Sequence, residues 1–244
     1  MANPVKIQAH VEQITAFGKG TYAVDFRPKG RIPRYKPGQF LHLTVDDFDP
    51  TGGFWPESRV FSICSSYNQD LISIIYSVKG KYTKKMEEML KANSKVWIKL
   101  PYGEFVIENN NSNSIVLVAG GTGVSPFLPY LENLMHEENQ RQPIHLFYGI
   151  RNIEAFIGRD LLLQCRKTLK NFNVSVSIEN NTSVTSEIPF ETGRLDIDEI
   201  RKKTAGLLNP VYYLSGPPAM IKAFRSKLFE MGVDKDNVKI DEWE

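Results

Sequence analysis

Sulfur is scarce in this chain, with two cysteines in 244 residues. Cys64 and Cys165 lie far apart and show no metal spacing, so no iron–sulfur cluster is expected and a reducing compartment is. Four histidines, His10, His42, His136 and His145, form no ligand motif, and no metal site is expected. Charge of one sign is lacking too. The chain has 30 basic residues against 28 acidic ones, a net charge of +2, which is too weak a bias to imply a nucleic-acid or membrane partner. A small basic excess over residues 1–108 leaves an acidic partner open for that part, although it reads mostly as solvated surface. No apolar run approaches the roughly 18 residues of a membrane helix. The opening MANPVKIQAHVEQ has no apolar core of signal-peptide type. A cytoplasmic protein without a membrane span is therefore expected. Its 41% hydrophobic and 24% charged residues are ordinary for a globular protein.

Two textures divide the chain. The first hundred residues read as strands at about 5–15, 21–27, 39–45, 59–65, 70–78 and 95–100, with one short helix at about 83–90. Pro37-Gly38 marks a turn into the third strand. Six strands with one helix predict a closed antiparallel barrel, which leaves no edge exposed. The polar stretch VIENNNSNS, 106–114, then changes the period. Beyond it, strands at 115–119, 144–148, 174–178, 211–214 and 238–240 alternate with helices at 126–138, 153–169, 196–203 and 218–231. That spacing predicts a parallel sheet covered on both faces. Two domains are expected, 1–108 and 109–244: an antiparallel β-barrel, then an α/β parallel-sheet domain of Rossmann-like type.

Three glycines, Gly120, Gly121 and Gly123, follow the first parallel strand directly. In an open α/β sheet, that is where ligands bind. Ser125 is expected to cap the helix and Pro126 to occupy its first position. The helix start then presents free N–H groups and the positive end of its dipole to a phosphate. A tight turn with glycines chosen only for packing stays open as an alternative. The Lys-Ser/Thr pair of a phosphate-binding kinase loop is missing. Gly216, with Pro217 and Pro218, repeats the arrangement after a later strand.

Several motifs in order resemble the ferredoxin–NADP reductase-like flavoprotein reductases. They are RVFSICSS (59–66), YSVKGKYTKKM (76–86), PYGEF (101–105), GGTGVSP (120–126), FYGIRN (147–152) and LSGPPAM (214–220). The resemblance implies a barrel that binds FAD and a second domain that binds a nicotinamide nucleotide, NADH or NADPH. It places Arg59 on the FAD pyrophosphate, a role suited to its planar fork. After Val60, Phe61 lies against the flavin or its ribityl chain, and Ser62 points toward flavin N5. Tyr76, Val78, Gly80, Tyr82 and Thr83 belong to the segment that closes over the pyrophosphate, where Lys79, Lys81, Lys84 and Lys85 could add charge. Tyr102 either stacks on the adenine or packs on the barrel. Gly121, Thr122 and Gly123 hold the nicotinamide, with Gly216 and Pro217 opposite. Ser215 stands where many members have cysteine, and Trp243 where a terminal aromatic covers the flavin ring. Ser62, Ser215 and Trp243 are thus the catalytic candidates.

The resemblance also implies the chemistry. Hydride passes from nicotinamide to flavin N5, and electrons pass on to a separate acceptor: a ferredoxin, a flavodoxin, an oxygenase component or a small molecule. Discrimination against NADPH is expected at the end of the third parallel strand, where Glu179 is followed by Asn180 and Asn181 with no arginine or lysine near in sequence. Arg151, after the preceding strand, argues the other way. NADH is the expected substrate. An electron-transfer or regulatory subunit that holds FAD with little nicotinamide turnover is the alternative.

Overall fold

The computed structural model describes residues 3–67, 69–108, 113–137, 141–180 and 187–241. Its contacts divide the chain into two compact units, residues 1–106 and 107–244.

The first unit is a six-stranded antiparallel sheet in the order β4-β3-β6-β1-β2-β5. Its strands are β1 (Val5–Ala16), β2 (Thr21–Pro28), β3 (Phe40–Thr44), β4 (Arg59–Ser62), β5 (Ile72–Ser77) and β6 (Lys95–Tyr102). Successive side chains on a strand point to opposite faces, and alternate residues here enter one core. Ile7, Ala9 and Val11 come from β1, Val24 and Phe26 from β2, Leu41 and Leu43 from β3, and Ile72, Ile74 and Tyr76 from β5. Closure runs through the segment after β4. The Cys64 N–H donates to the Ser73 carbonyl at 2.9 Å. The Ser73 N–H donates to Ser65 Oγ at 3.0 Å, and the Tyr35 hydroxyl donates to the Ser65 carbonyl at 3.1 Å. Helix α1 (Lys81–Met89) sends Tyr82 and Met86, one turn apart, into this core.

The second unit is a parallel six-stranded sheet in the order β10-β9-β8-β7-β11-β12. Its strands are β7 (Ile115–Gly120), β8 (Ile144–Ile150), β9 (Phe172–Ile178), β10 (Phe190–Thr192), β11 (Val211–Ser215) and β12 (Val238–Asp241). Four helices connect them: α2 (Leu128–Leu134), α3 (Arg159–Thr168), α4 (Ile197–Thr204) and α5 (Pro218–Glu230). On one face Val116, Val118, Phe147, Tyr212 and Leu214 pack with Ile197 and Ile200 of α4 and Ile221, Phe224 and Leu228 of α5. Alternation turns the intervening residues to the opposite face, where the Tyr148 ring meets Phe156 edge-on at 5.7 Å. The chain runs outward from β7 in both directions, so the order reverses between β7 and β11. In open sheets of this kind, ligands sit outside the strand ends at that reversal.

Three expectations about elements change. The helix expected at 126–138 is a 3₁₀ turn, Gly121–Phe127, that leads into α2. Glu138 lies outside the described residues. The helix expected at 153–169 is broken: a 3₁₀ turn at Ile153–Ala155, held by the Asn152 side chain accepting from the Ala155 N–H, ends before Gly158. Gly158 has φ +71°, and a Cβ there would lie 2.7 Å from Leu128 Cδ2, so the chain reverses at this point and only then starts α3. Strand β10 was not expected at all, because three residues are too few to show alternation.

His145 gives the second unit a titration of its own. Its ring stacks on Phe147 at 3.9 Å between centroids, and Nε2 lies 3.0 Å from Ser175 Oγ. Burial, and then the charge of Lys203, pull its pKa down to about 4, from an ordinary value of about 6.5. The neutral ring is the one that packs, so its contribution is complete above pH 6.5 and is lost as pH falls toward 4. By pH 5 the loss reaches about 2 kcal/mol. Thermal melts at pH 7.5 and pH 5 are expected to show a smaller acid loss in His145→Gln than in the parent chain. Equal losses would remove His145 from the account.

Candidate functional site

In the first unit the geometry gathers around β4 and the start of α1. Arg59 stands directly opposite Leu43 in the β3–β4 ladder, and Phe61 opposite Leu41. Both partners are core residues, so Arg59 and Phe61 sit on the barrel's inner face at its end. The Arg59 guanidinium carbon lies 4.7 Å above the Tyr82 ring. Tyr82 is the second residue of α1, so the cation is stacked at the helix's first turn. Two further contacts hold the fork: Nη1 donates to the Ser58 carbonyl at 2.8 Å and Nη2 to Glu57 Oε1 at 2.7 Å. Tyr82 is buried. Its hydroxyl donates to the Leu43 carbonyl at 3.0 Å and accepts from the Val45 N–H at 3.3 Å. Burial raises its pKa, and it stays protonated at neutral pH.

Gly80 caps α1 with extended backbone, and no atom lies within 4 Å of where its Cβ would stand. Thr83 Oγ1 accepts from the N–H groups of Lys79 and Gly80 at 2.9 and 3.0 Å, which folds the approach to the helix onto its first turn. The hydroxyl therefore shapes the loop. A guanidinium held over a ring, an open glycine and the amide-bearing start of a helix make a cradle that fits a diphosphate. Of the four lysines here, Lys85 is bound to Asp46, while Lys79, Lys81 and Lys84 are exposed.

The other barrel candidates divide by strand parity. Phe61 packs edge-on against Tyr76 at 6.3 Å, and Tyr76 is buried against Tyr22. Tyr76 and Tyr82 thus act as supports. Val60 and Ser62 stand opposite His42 and Phe40 on the outer face. Val78 is tied through its N–H to the Gly20 carbonyl at 2.8 Å. Tyr102 stacks on Phe40 at 5.6 Å and meets the His42 ring edge-on at 4.8 Å, which is the barrel-packing alternative.

In the second unit the glycine turns meet at the reversal between β7 and β11, where Ala119 pairs with Ser215. Most of these glycines are required by the protein itself. A Cβ on Gly123 would fall 2.3 Å from the Ser215 carbonyl oxygen, and one on Gly120 2.8 Å from Pro217 Cδ. Gly216, with φ +152°, is closed in by Met220 and Gly120. Gly121 differs: its φ is +56° and nothing lies within 4 Å of its Cβ position. Open space beside a left-handed glycine fits a ligand laid against the backbone.

Ser125 is buried and its hydroxyl donates to the Thr122 carbonyl at 2.6 Å. It lies inside the 3₁₀ turn and braces it, and does not cap α2, which begins at Leu128. The Ser215 hydroxyl donates to Asp241 Oδ2 at 3.0 Å, and both residues are buried. The spacing of the motifs gave no signal of Asp241. Trp243 and Asn181 lie outside the described residues.

At the next strand ends, the Asn180 N–H donates to the Arg151 carbonyl at 2.8 Å. Glu179 Oε2 lies 3.2 Å from Nε of Arg194, which follows β10. This corrects the expectation of no basic residue near Glu179: a short parallel strand brings one from 15 residues downstream. Among the described residues no group of three or more His, Cys, Asp and Glu could hold a metal ion. No helix among them is long and apolar enough to cross a membrane. Cys64 and Cys165 are free thiols, and burial pushes both up, Cys165 to about 12.

A barrel whose end fits a diphosphate, followed by a parallel sheet with a glycine turn at its reversal, fits a chain that binds a flavin and a nicotinamide nucleotide. Residues 8–142 match the family model of an FAD-binding domain, which covers more than half of the chain, and residues 117–226 match the oxidoreductase NAD-binding domain. The chain belongs to the ferredoxin reductase-like flavoprotein reductases. It is 26% identical to a terephthalate 1,2-dioxygenase reductase component of Comamonas, over 88% of this chain and 61% of that protein. It is 25% identical to the reductase component of propane 2-monooxygenase from Mycolicibacterium smegmatis, over 85% and 58%. The chain therefore spans about three fifths of the length of these curated relatives. A ferredoxin NADP⁺ reductase from Neisseria gonorrhoeae, solved with FAD and NADP, shares the fold with a TM-score of 0.75 and 16% identity, over 99% of each chain.

Proposed function

We propose that this chain is the reductase of an electron-transfer pair: it takes hydride from NADH and passes electrons to a separate acceptor. The acceptor class is an oxygenase component, a ferredoxin, a flavodoxin or a small molecule. The single observation that carries the reading is the Arg59–Tyr82 stack at the first turn of α1, beside the open Gly80. FAD, when bound, supplies an acceptor for hydride and a donor of single electrons.

The chain's own residues do the rest. Arg59 and the first-turn N–H groups of α1 hold the diphosphate, and Phe61 supplies an apolar wall. The resemblance assigns the Ser62 hydroxyl to flavin N5, from the face of β4 opposite Phe61. Gly121 admits the nicotinamide nucleotide against the backbone, Thr122 and Gly123 shape the turn, and Gly216 and Pro217 close the facing side. Ser215 has its proton committed to Asp241, so it presents an oxygen lone pair and no free donor. The resemblance assigns Trp243 the role of covering the flavin ring until nicotinamide displaces the indole.

Glu179, at the end of β9, favours NADH. A carboxylate accepts hydrogen bonds from free ribose hydroxyls and repels a 2′-phosphate. The purified chain is expected to be yellow, to be bleached by NADH without oxygen, and to show a higher kcat/KM with NADH than with NADPH. A yellow protein that NADH leaves oxidised would favour an electron-transfer subunit. An equal or higher kcat/KM with NADPH would defeat the preference for NADH.

A further inference from the structure

Three neighbouring strands of the second unit end in charged residues: Arg151 after β8, Glu179 after β9 and Arg194 after β10. Main-chain bonds hold these ends in line. The Glu179 N–H donates to the Ile150 carbonyl at 3.0 Å, and the Gly193 N–H to the Ile178 carbonyl at 2.8 Å. Across this row, Nε of Arg194 reaches Glu179 Oε2 at 3.2 Å. The Arg194 side chain is 83% exposed and that of Glu179 36%. Gly193, with φ +119°, has nothing within 4 Å of its Cβ position, so the arginine leaves the sheet beside open space.

We propose that Arg194 is a specificity-determining residue of the nucleotide site and that Glu179 holds it in check. The inference rests on the reading that these strand ends receive the adenosine ribose. Bound to Glu179, the guanidinium neutralises part of the carboxylate and leaves the second oxygen to accept from the ribose hydroxyls of NADH. Released, it is a planar fork at the same row of strand ends as Arg151, suited to a 2′-phosphate. An ion pair this exposed is weakly held and opens readily, so the nucleotide decides which partner the arginine keeps. The preference therefore belongs to the pair and not to Glu179 alone.

The test compares Glu179→Gln, Arg194→Gln and the double variant in the whole chain. Both side chains are exposed, so all three proteins are expected to melt with the parent. Glu179→Gln is expected to raise the ratio of kcat/KM for NADPH over NADH at least tenfold, mainly through KM. Arg194→Gln is expected to lower that ratio several-fold, and the double variant to lose the gain of Glu179→Gln. Calorimetric titration with 2′-phospho-AMP and with 5′-AMP reads the same site without turnover. Glu179→Gln is expected to tighten 2′-phospho-AMP alone, and adding Arg194→Gln to reverse it. If Glu179→Gln raises the ratio equally in both backgrounds, Arg194 is a bystander and the proposal falls. If neither nucleotide binds any of the proteins, the ribose site itself is wrong and the proposal falls with it. Nucleotide binding with an unmoved ratio overturns the proposal alone.

Discussion

Gly123→Ala is expected to cost the second unit about 3 kcal/mol or more, a drop of roughly 10 °C in its melting transition. The new methyl carbon would stand 2.3 Å from the Ser215 carbonyl oxygen and 2.6 Å from Gly216 Cα. Neither atom can rotate away, since both are main chain at the end of β11, whose ladder pairs it with β7 and β12. Relief would require moving the 3₁₀ turn off the sheet, and that turn carries buried Val124, Ser125 and Phe127. Gly121→Ala is the informative partner. Its methyl meets no protein atom, so the cost is the left-handed backbone alone, about 1–2 kcal/mol. It occupies the space proposed for the nucleotide, and the KM for NADH is expected to rise with little change in the melt beyond that cost. A Gly123→Ala protein that melts within 2 °C of the parent would mean the turn is loosely held.

These two glycines also indicate what the sequence can and cannot disclose. A glycine cluster after a buried strand announces a close approach, but not of what. Here Gly120, Gly123 and Gly216 answer to the protein's own atoms and Gly121 to open space. The division depends on the pairing of β7 with β11, more than ninety residues later in the chain. The barrel was more legible, because alternate burial in β1, β2, β5 and β6 is written locally in apolar residues two apart. Ser125 misled because serine ahead of a helix usually caps it; in this chain the 3₁₀ turn had already begun. Arg194 and Asp241 were invisible for one reason. Each reaches its partner across parallel strands, β10 to β9 and β12 to β11, and parallel register leaves no local mark. In the sequence the nucleotide preference therefore rests on Glu179 weighed against Arg151, without the cation that sits on the carboxylate.

Arg59→Ala is expected to weaken FAD binding by about 2–4 kcal/mol, roughly thirty-fold to a thousand-fold in Kd. The loss combines a charge-assisted, two-pronged contact to the diphosphate with the contact that holds the guanidinium over Tyr82. Apoprotein stability is expected to change little, since the side chain is 48% exposed and its partner Glu57 is 60% exposed, and such pairs contribute about 0–1 kcal/mol. Arg59→Lys keeps the charge but loses the planar fork, and should fall between the two. Glu57→Gln supplies a test of opposite sign. It removes the carboxylate that competes with the diphosphate for the same guanidinium, so FAD affinity should hold or rise. Equilibrium dialysis with FAD, read by flavin fluorescence, measures all three against the parent. An Arg59→Ala protein that retains FAD as tightly as the parent would move the diphosphate away from the first turn of α1. The cradle of Arg59, Tyr82 and Gly80 would then be a feature of the barrel's end and nothing more.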